Sequence, residues 1–153
     1  DVVGRFIETK SVQNYLVEIG GEIRARGKNK KGNFWKVAIE KPNTDGSQSF
    51  QTAIQLKNES MATSGNYRKF RITKSGEKYV HTVNPKTGFA KESNLLSASV
   101  IANSDCADVD AYATAFMAMG FEKTIEFLNA HKNIKVVLMY LDTENSIREF
   151  RNF

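Results

Sequence analysis

Apolar positions along this chain follow two periods, and the switches between them predict its elements. Val2, Val3, Phe6 and Ile7 fall at helical spacing, which predicts an amphipathic helix over residues 1–10. The only capping residue before it is Asp1. The period then shortens to two. YLVEI (15–19) reads as a strand stopped by Gly20-Gly21, and EIRARG (22–27) alternates before GKNKKGN, a hairpin signal. FWKVAIE (34–40) is a further strand, closed by Lys41-Pro42-Asn43. FQTAIQL (50–56) alternates with Phe50, Ala53 or Ile54, and Leu56 directed inward. MATSGNYRKFRI (61–72) and KYVHTV (78–83) add two more strands.

The last third changes character. LLSASVIA (95–102) is β-rich, and after Asn103-Ser104-Asp105 an Ala- and Met-rich helix runs over 106–119, with Gly120 where a helix would end. A second helix over 122–131 carries Ile125, Phe127 and Leu128. IKVVLMYL (134–141) is a buried strand by its β-branched content, and SIREFRNF alternates again. Strands, then helices, then strands predict one α+β domain over 1–153, a mostly antiparallel sheet flanked by helices. The opening helix starts without an upstream signal, so an incomplete amino-terminal part is expected, with Val2, Val3, Phe6 and Ile7 left exposed.

Composition narrows the class. The 153 residues suffice for one domain with a core; hydrophobic residues make up 41% and charged residues 25%, both ordinary for a globular protein. No run approaches the ~20 apolar residues of a membrane helix, and DVVGRFIETK mixes charge with apolar positions, unlike a signal peptide. The net charge of +5 suits an anionic partner or simply a solvated basic surface. Lys28, Lys30 and Lys31 sit in a turn without interleaved aromatics, which argues against nucleic acid. Cys106 is the single cysteine, so no internal disulfide forms.

Four constellations can carry chemistry. Asp110 and Thr114 lie four apart in ADVDAYATA (107–115) and share a helix face. Carboxylate and hydroxyl are the hard oxygen donors that Mg²⁺ selects, and Mg²⁺ is often completed by waters and substrate phosphates. The same residues also suit plain structural roles: an Asp near a helix start offsets the macrodipole, and a helical Thr bonds the i−4 carbonyl. His81, one of two histidines, opens HTVNPKTG (81–88) and is a general base, a nucleotide contact or a packing residue. Gly20-Gly21 permits close approach of a phosphate to the backbone, as well as an ordinary turn. ATSGNYR (62–68) offers Thr63, Ser64, the Gly65 backbone and Arg68 to an anion, or a turn between strands.

The order of these segments carries more than any one of them. NYLVEIGGEIRARG, a strand with Trp35, ATSGNYR, HTVNPKTG, SASVIA and a D-A-Y-A-T-A helix closing in MAMG together resemble the carboxy-terminal half of the ApbE family, the FAD:protein FMN transferases. The resemblance spans essentially the whole chain, and H-x-x-N-P-x-T-G and D-A-x-A-T-A are its most specific parts. It implies an enzyme that takes FAD as substrate, requires Mg²⁺, and moves FMN to a Thr or Ser of an acceptor protein with release of AMP. The alternatives it leaves are FAD pyrophosphate hydrolysis to FMN and AMP, and a flavin-binding module without turnover. Asp110 and Thr114 fall on the family's metal ligands, and His81 on the histidine of its H-x-x-D-P motif. Val83 lies in the strand that touches the flavin nucleotide, and Ser64 and Gly65 fall in the S-G segment. Gly20 and Gly21 count with the cofactor-binding positions, and His81 and Asp110 with the catalytic ones. Asn84 stands where the family usually has Asp. The family's amino-terminal half, absent here, supplies much of the flavin pocket and a further metal contact. The resemblance also implies a periplasmic location at the bacterial inner membrane, lipid-anchored in the full-length protein.

Overall fold

A computed structural model describes residues 1–40, 50–66, 70–72, 78–80, 82–90 and 93–153, with side chains left aside at 50, 51, 70–72 and 78–80. Helix α1 (Val2–Thr9) leads into β1 (Tyr15–Ile19) and β2 (Glu22–Arg26). Then follow β3 (Trp35–Glu40), β4 (Phe50–Leu56), β5 (Ser60–Gly65), β6 (Phe70–Ile72), β7 (Lys78–Val80) and β8 (Leu95–Ala102). Helices α2 (Cys106–Met119) and α3 (Phe121–Ala130) precede β9 (Lys135–Leu141) and β10 (Ile147–Arg151). Six strands form one antiparallel sheet in the order β1-β2-β5-β8-β9-β10, with β3-β4 and β6-β7 as separate two-stranded pairs.

β8 lies near the middle of the sheet and is covered on both sides, which is why LLSASVIA reads as a nearly continuous apolar run instead of an alternation. Ala98, Val100 and Ala102 face the helices, where they pack with Ala62, Val109, Ala113, Phe116, Val136 and Leu138. Ile101 faces the other way, against Ala25, Ile39, Ile54, Leu56, Met61 and Val137. The β3-β4 hairpin therefore closes the back of the sheet and the helices close its front. Phe116, 1% exposed, lies within 6.0 Å of Tyr112 and 5.6 Å of Phe127 by ring centroids, so the two helices lock together through aromatic edges.

The element order follows the sequence pattern closely, and the departures are local. GKNKKGN does not make a two-strand ladder: it closes a single bridge, Lys28 with Phe34, after which β3 leaves to pair with β4. β2 instead pairs with β5, through Ile23–Met61 and Arg24–Ser60. On β4 the inward residue is Ile54, while Ala53 is exposed. Among the described residues of KYVHTV, Lys78–Val80 form a strand, and Thr82 and Val83 belong to no regular element. Gly120 ends α2 with φ +82, its N–H on the Phe116 carbonyl 2.9 Å away, a conformation that favours glycine. On α1 the expected apolar face is open: Val2, Val3 and Phe6 are exposed and Ile7 half-buried, while Gly4 is the buried position.

Candidate functional site

The orientation of α2 follows from its core stripe. Val109, Ala113, Phe116 and Met117 are buried against the sheet, so at about 100° per residue Asp110 and Thr114 come to the flank of that stripe. Asp110 is half-buried and Thr114 exposed. Thr114 Oγ1 lies 3.1 Å from Ser64 Oγ on β5, so its hydroxyl is directed across to the sheet. The period-two alternation of β5 brings Ser64 there: Ala62 and Ser64 face α2, while Thr63 points to the opposite face, its hydroxyl 2.8 Å from that of Ser99. Asp110, Thr114 and Ser64 thus form one oxygen-rich group, and Thr63 is separated from it by the sheet.

The carboxylate of Asp110 makes no hydrogen bond and pairs with no cation among the described residues. No group of three or more His, Cys, Asp and Glu that could hold a metal ion occurs among them either. One free carboxylate with a hydroxyl pair is a donor set of the right hardness for Mg²⁺, an ion that keeps several waters and takes the rest of its ligands from phosphates. It is not a set that would hold a cation by itself.

Asn66, just beyond β5, was not apparent from sequence. It is buried, its N–H bonds the Leu96 carbonyl at 3.0 Å, and its Oδ1 accepts the Thr82 hydroxyl at 3.1 Å. That bond draws residues 82–84 to the end of β5 that carries Ser64 and Gly65. Val83 is 51% exposed there. His81 and Arg68 lie outside the described residues. Asn84 organises the turn that follows: its Oδ1 accepts the Lys86 N–H at 2.9 Å, and its carbonyl accepts that of Gly88 at 2.8 Å. This turn needs only an acceptor oxygen at position 84, so Asn serves it as Asp would.

Gly20 and Gly21 form the two-residue loop of the β1-β2 hairpin, with φ +71 and +107. Two consecutive positive φ values are what such a loop requires, and glycine takes them without strain. The β2-β5 register directs this loop toward the end of the sheet where Ser64 and Gly65 lie.

A second polar cluster sits at the start of α2, and sequence reasoning missed it. Arg24 reaches Asp1 at 3.0 Å, Asp105 at 2.9 Å and Glu8 at 3.7 Å, and donates to the Tyr15 hydroxyl at 3.1 Å. The Arg24 bond, with help from Arg5, holds the Asp105 carboxyl below its ordinary range. Glu8 is lowered from 4.5 to about 2 by the Tyr15 hydroxyl and then by Arg26. Burial pushes the Cys106 thiol up, so it is a poor nucleophile. A cleft of about 650 Å³ lies between Asn103, Asp108, Ala111, Tyr112 and Asn133. Its α2 residues stand roughly 100–200° around the helix from Asp110, so it is not part of the oxygen-rich group.

Comparison with known proteins places the chain in a family. The model of the ApbE family matches residues 1–138. The chain belongs to the ApbE family. ApbE relatives include the FAD:protein FMN transferases of Haemophilus influenzae, 39% identical over 95% of this chain and 41% of that protein, and of Vibrio cholerae, 37% identical over 98% and 43%. Among solved structures, the flavin transferase ApbE of Vibrio cholerae superposes with a TM-score of 0.82 at 33% identity, covering 99% of this chain and 46% of that one. The flavinyl transferase ApbE of Pseudomonas stutzeri in its apo form gives 0.80 at 30% identity, covering 99% and 45%. The α+β architecture is thus that of ApbE proteins. The chain spans less than half the length of these relatives.

Proposed function

We propose that this chain forms part of an FAD:protein FMN transferase, moving FMN from FAD to a Thr or Ser hydroxyl of an acceptor protein. The observation that carries the reading is the grouping of an unpartnered Asp110 carboxylate with the Thr114 and Ser64 hydroxyls, in a chain whose relatives bear that name. In this reading Asp110 and Thr114 are the protein donors to Mg²⁺. When bound, the ion neutralises the charge of the FAD pyrophosphate and of the departing AMP. Ser64 holds the Thr114 hydroxyl in place, and β5 holds Ser64 through its ladder to β8. Gly20-Gly21, Gly65 and Val83 line the approach of the flavin nucleotide from the same end of the sheet.

The transfer balances simply. The acceptor oxygen forms a bond to the FMN phosphorus, the pyrophosphate bond to AMP breaks, and AMP leaves with the electron pair. The acceptor hydroxyl loses a proton, for which the chain offers His81 or Asp110. A carboxylate engaged with a divalent cation is a weak base, which favours His81. The relatives' greater length fits a flavin pocket completed by a further, amino-terminal segment. The periplasmic, lipid-anchored location is part of the same proposal and rests on family resemblance alone.

The test incubates the protein with FAD, Mg²⁺ and a Thr- or Ser-bearing acceptor peptide from a flavinylated protein. AMP together with flavin-labelled acceptor is the expected result. AMP with free FMN would replace transfer by hydrolysis, and FAD binding without AMP would leave a flavin-binding module.

A further inference from the structure

Helix α2 is not capped by the residue that precedes it. Asp105 occupies the N-cap position with φ −64 and ψ 151, yet its side chain makes no bond to the helix and goes instead to Arg24 and Arg5. The cap comes from the far end of the sequence. Asp1 Oδ1 accepts the Cys106 N–H at 2.8 Å, and Asp1 Oδ2 accepts that of Ala107 at 3.0 Å. A single nitrogen, Arg24 Nη1, lies 3.0 Å from Asp1 and 2.9 Å from Asp105, bridging the two carboxylates at the helix start.

Arg24 itself is immobilised. Its Nε donates to the Tyr15 hydroxyl, which is 2.5 Å from Glu8 Oε1, and Glu8 is 2.6 Å from Arg26. Gly4 of α1 lies directly over it: a Cβ there would come within 2.8 Å of Arg24 Cδ and 3.1 Å of the Tyr15 hydroxyl. Three carboxylates, Asp1, Glu8 and Asp105, meet three guanidinium groups, Arg5, Arg24 and Arg26. The cluster closes on itself and sends no arginine to Asp110.

We propose that Asp1 and Arg24 are positioning residues for the metal-binding turn of α2, an inference that rests on the reading of Asp110 and Thr114 as the Mg²⁺ donors. In an α-helix the Asp110 N–H bonds the Cys106 carbonyl, and the Thr114 N–H bonds that of Asp110. The two donors therefore stand on successive rungs of a ladder whose first residue is the one Asp1 caps. Thr114 is held at the far end by Ser64, but the Asp110 side chain has no tether among the described residues, so its place depends on the first turn. Mg²⁺ demands near-ideal octahedral geometry, and a frayed first turn moves one ligand off it.

The experiment titrates MgCl₂ into the FAD-saturated protein by calorimetry, for the parent and for Asp1→Asn, Arg24→Gln and Asp110→Asn. Cys106, the only cysteine and the first residue of α2, reports the same turn through its reaction rate with a disulfide reagent, measured without Mg²⁺. Asp1→Asn and Arg24→Gln are each expected to weaken Mg²⁺ roughly fivefold to tenfold, the scale of a lost cap, and to speed the Cys106 reaction by a similar factor. The pair guards against a purely electrostatic effect, since losing a negative charge and losing a positive one would shift Mg²⁺ affinity in opposite directions. It also guards against misfolding, since Arg24→Gln leaves the capping carboxylate in place should Asp1→Asn not fold. Parental Mg²⁺ affinity in both variants, or weaker affinity with an unchanged Cys106 rate, would overturn the inference while loss of binding in Asp110→Asn upheld the metal reading. Parental affinity in Asp110→Asn, or no Mg²⁺ binding by the parent, would remove the metal reading and this inference with it.

Discussion

Two sets of acidic residues border α2, and the fold treats them in opposite ways. At the helix start Asp1, Glu8 and Asp105 are each bonded to arginine; Glu8 is held well below its ordinary pKa, and Asp105 is lowered too. One turn further on, Asp110 is half-buried with no hydrogen bond and no cation partner among the described residues. A half-buried carboxylate without a partner gives up some hydration and receives nothing for it from the described residues. Its neighbours show that the sequence had arginines to offer and spent all three elsewhere. The first set holds two helices and the β1-β2 hairpin together; the second leaves a charge open to a ligand. This contrast separates structural from functional acids more sharply than either set does alone.

The sharpest break in the comparison is Asp110→Ala. Loss of a metal donor should lower AMP release by at least about a hundredfold, above the range seen when only a ligand's support is removed. The melting temperature should hardly move, within about 0.5 kcal/mol, because no partner among the described residues is lost. Normal turnover at limiting Mg²⁺ would place Asp110 with the structural acids.

Arg24→Gln should act first on stability, with only the roughly fivefold to tenfold loss of Mg²⁺ affinity expected of a positioning residue. The guanidinium is 19% exposed and serves three carboxylates. Removing it takes the arginine from Asp1 and leaves Asp105 with Arg5 and Glu8 with Arg26, at a cost of about 2 kcal/mol, below the range for fully buried pairs because water reaches the cluster and two of the three acids keep a partner. For a chain of this size that is a fall of roughly 6 °C in Tm, read by calorimetry. An unchanged Tm would mean that the cluster contributes geometry without stability.

Gly4→Ala sharpens the point by crowding the arginine instead of deleting it. The added Cβ meets a side-chain carbon that ion pairs hold in place, so about 1 kcal/mol of destabilisation is expected despite alanine's better helix propensity. A stabilised variant would show that Arg24 has room to move.

The smallest effect concerns pH. Glu8 has a folded pKa of about 2 against an ordinary 4.5. Its contribution is therefore complete above about pH 4.5 and lost as pH falls toward 2. Glu8→Gln should flatten the acid limb of stability within that window and leave the slope near neutrality unchanged. An identical acid limb in the two proteins, followed by melting temperature, would remove Glu8 from the cluster's energetics.

The sequence by itself determined most of the described elements, because helix and strand periods repeat within a few residues; the exception is 61–72, read as one strand and divided in the structure into β5 and β6. The β-branched run IKVVLMYL announced the buried strand β9, and LLSASVIA announced β8. Gly120 announced the end of α2, and the spacing of Asp110 and Thr114 announced a shared face. Tertiary structure decided which elements meet. GKNKKGN looked like a hairpin, yet the ladder went from β2 to β5 and from β3 to β4, because the Ile39, Ile54 and Leu56 side chains bury against the back of the sheet. Asp1 looked like the cap of its own helix and instead caps α2, 105 residues away. Asn66, in a segment that read as a turn, holds Thr82 from sixteen residues off. Such partners leave no period in the sequence, since a hydrogen bond across a sheet needs only the right atom at the right place, and that place exists only once the chain has folded.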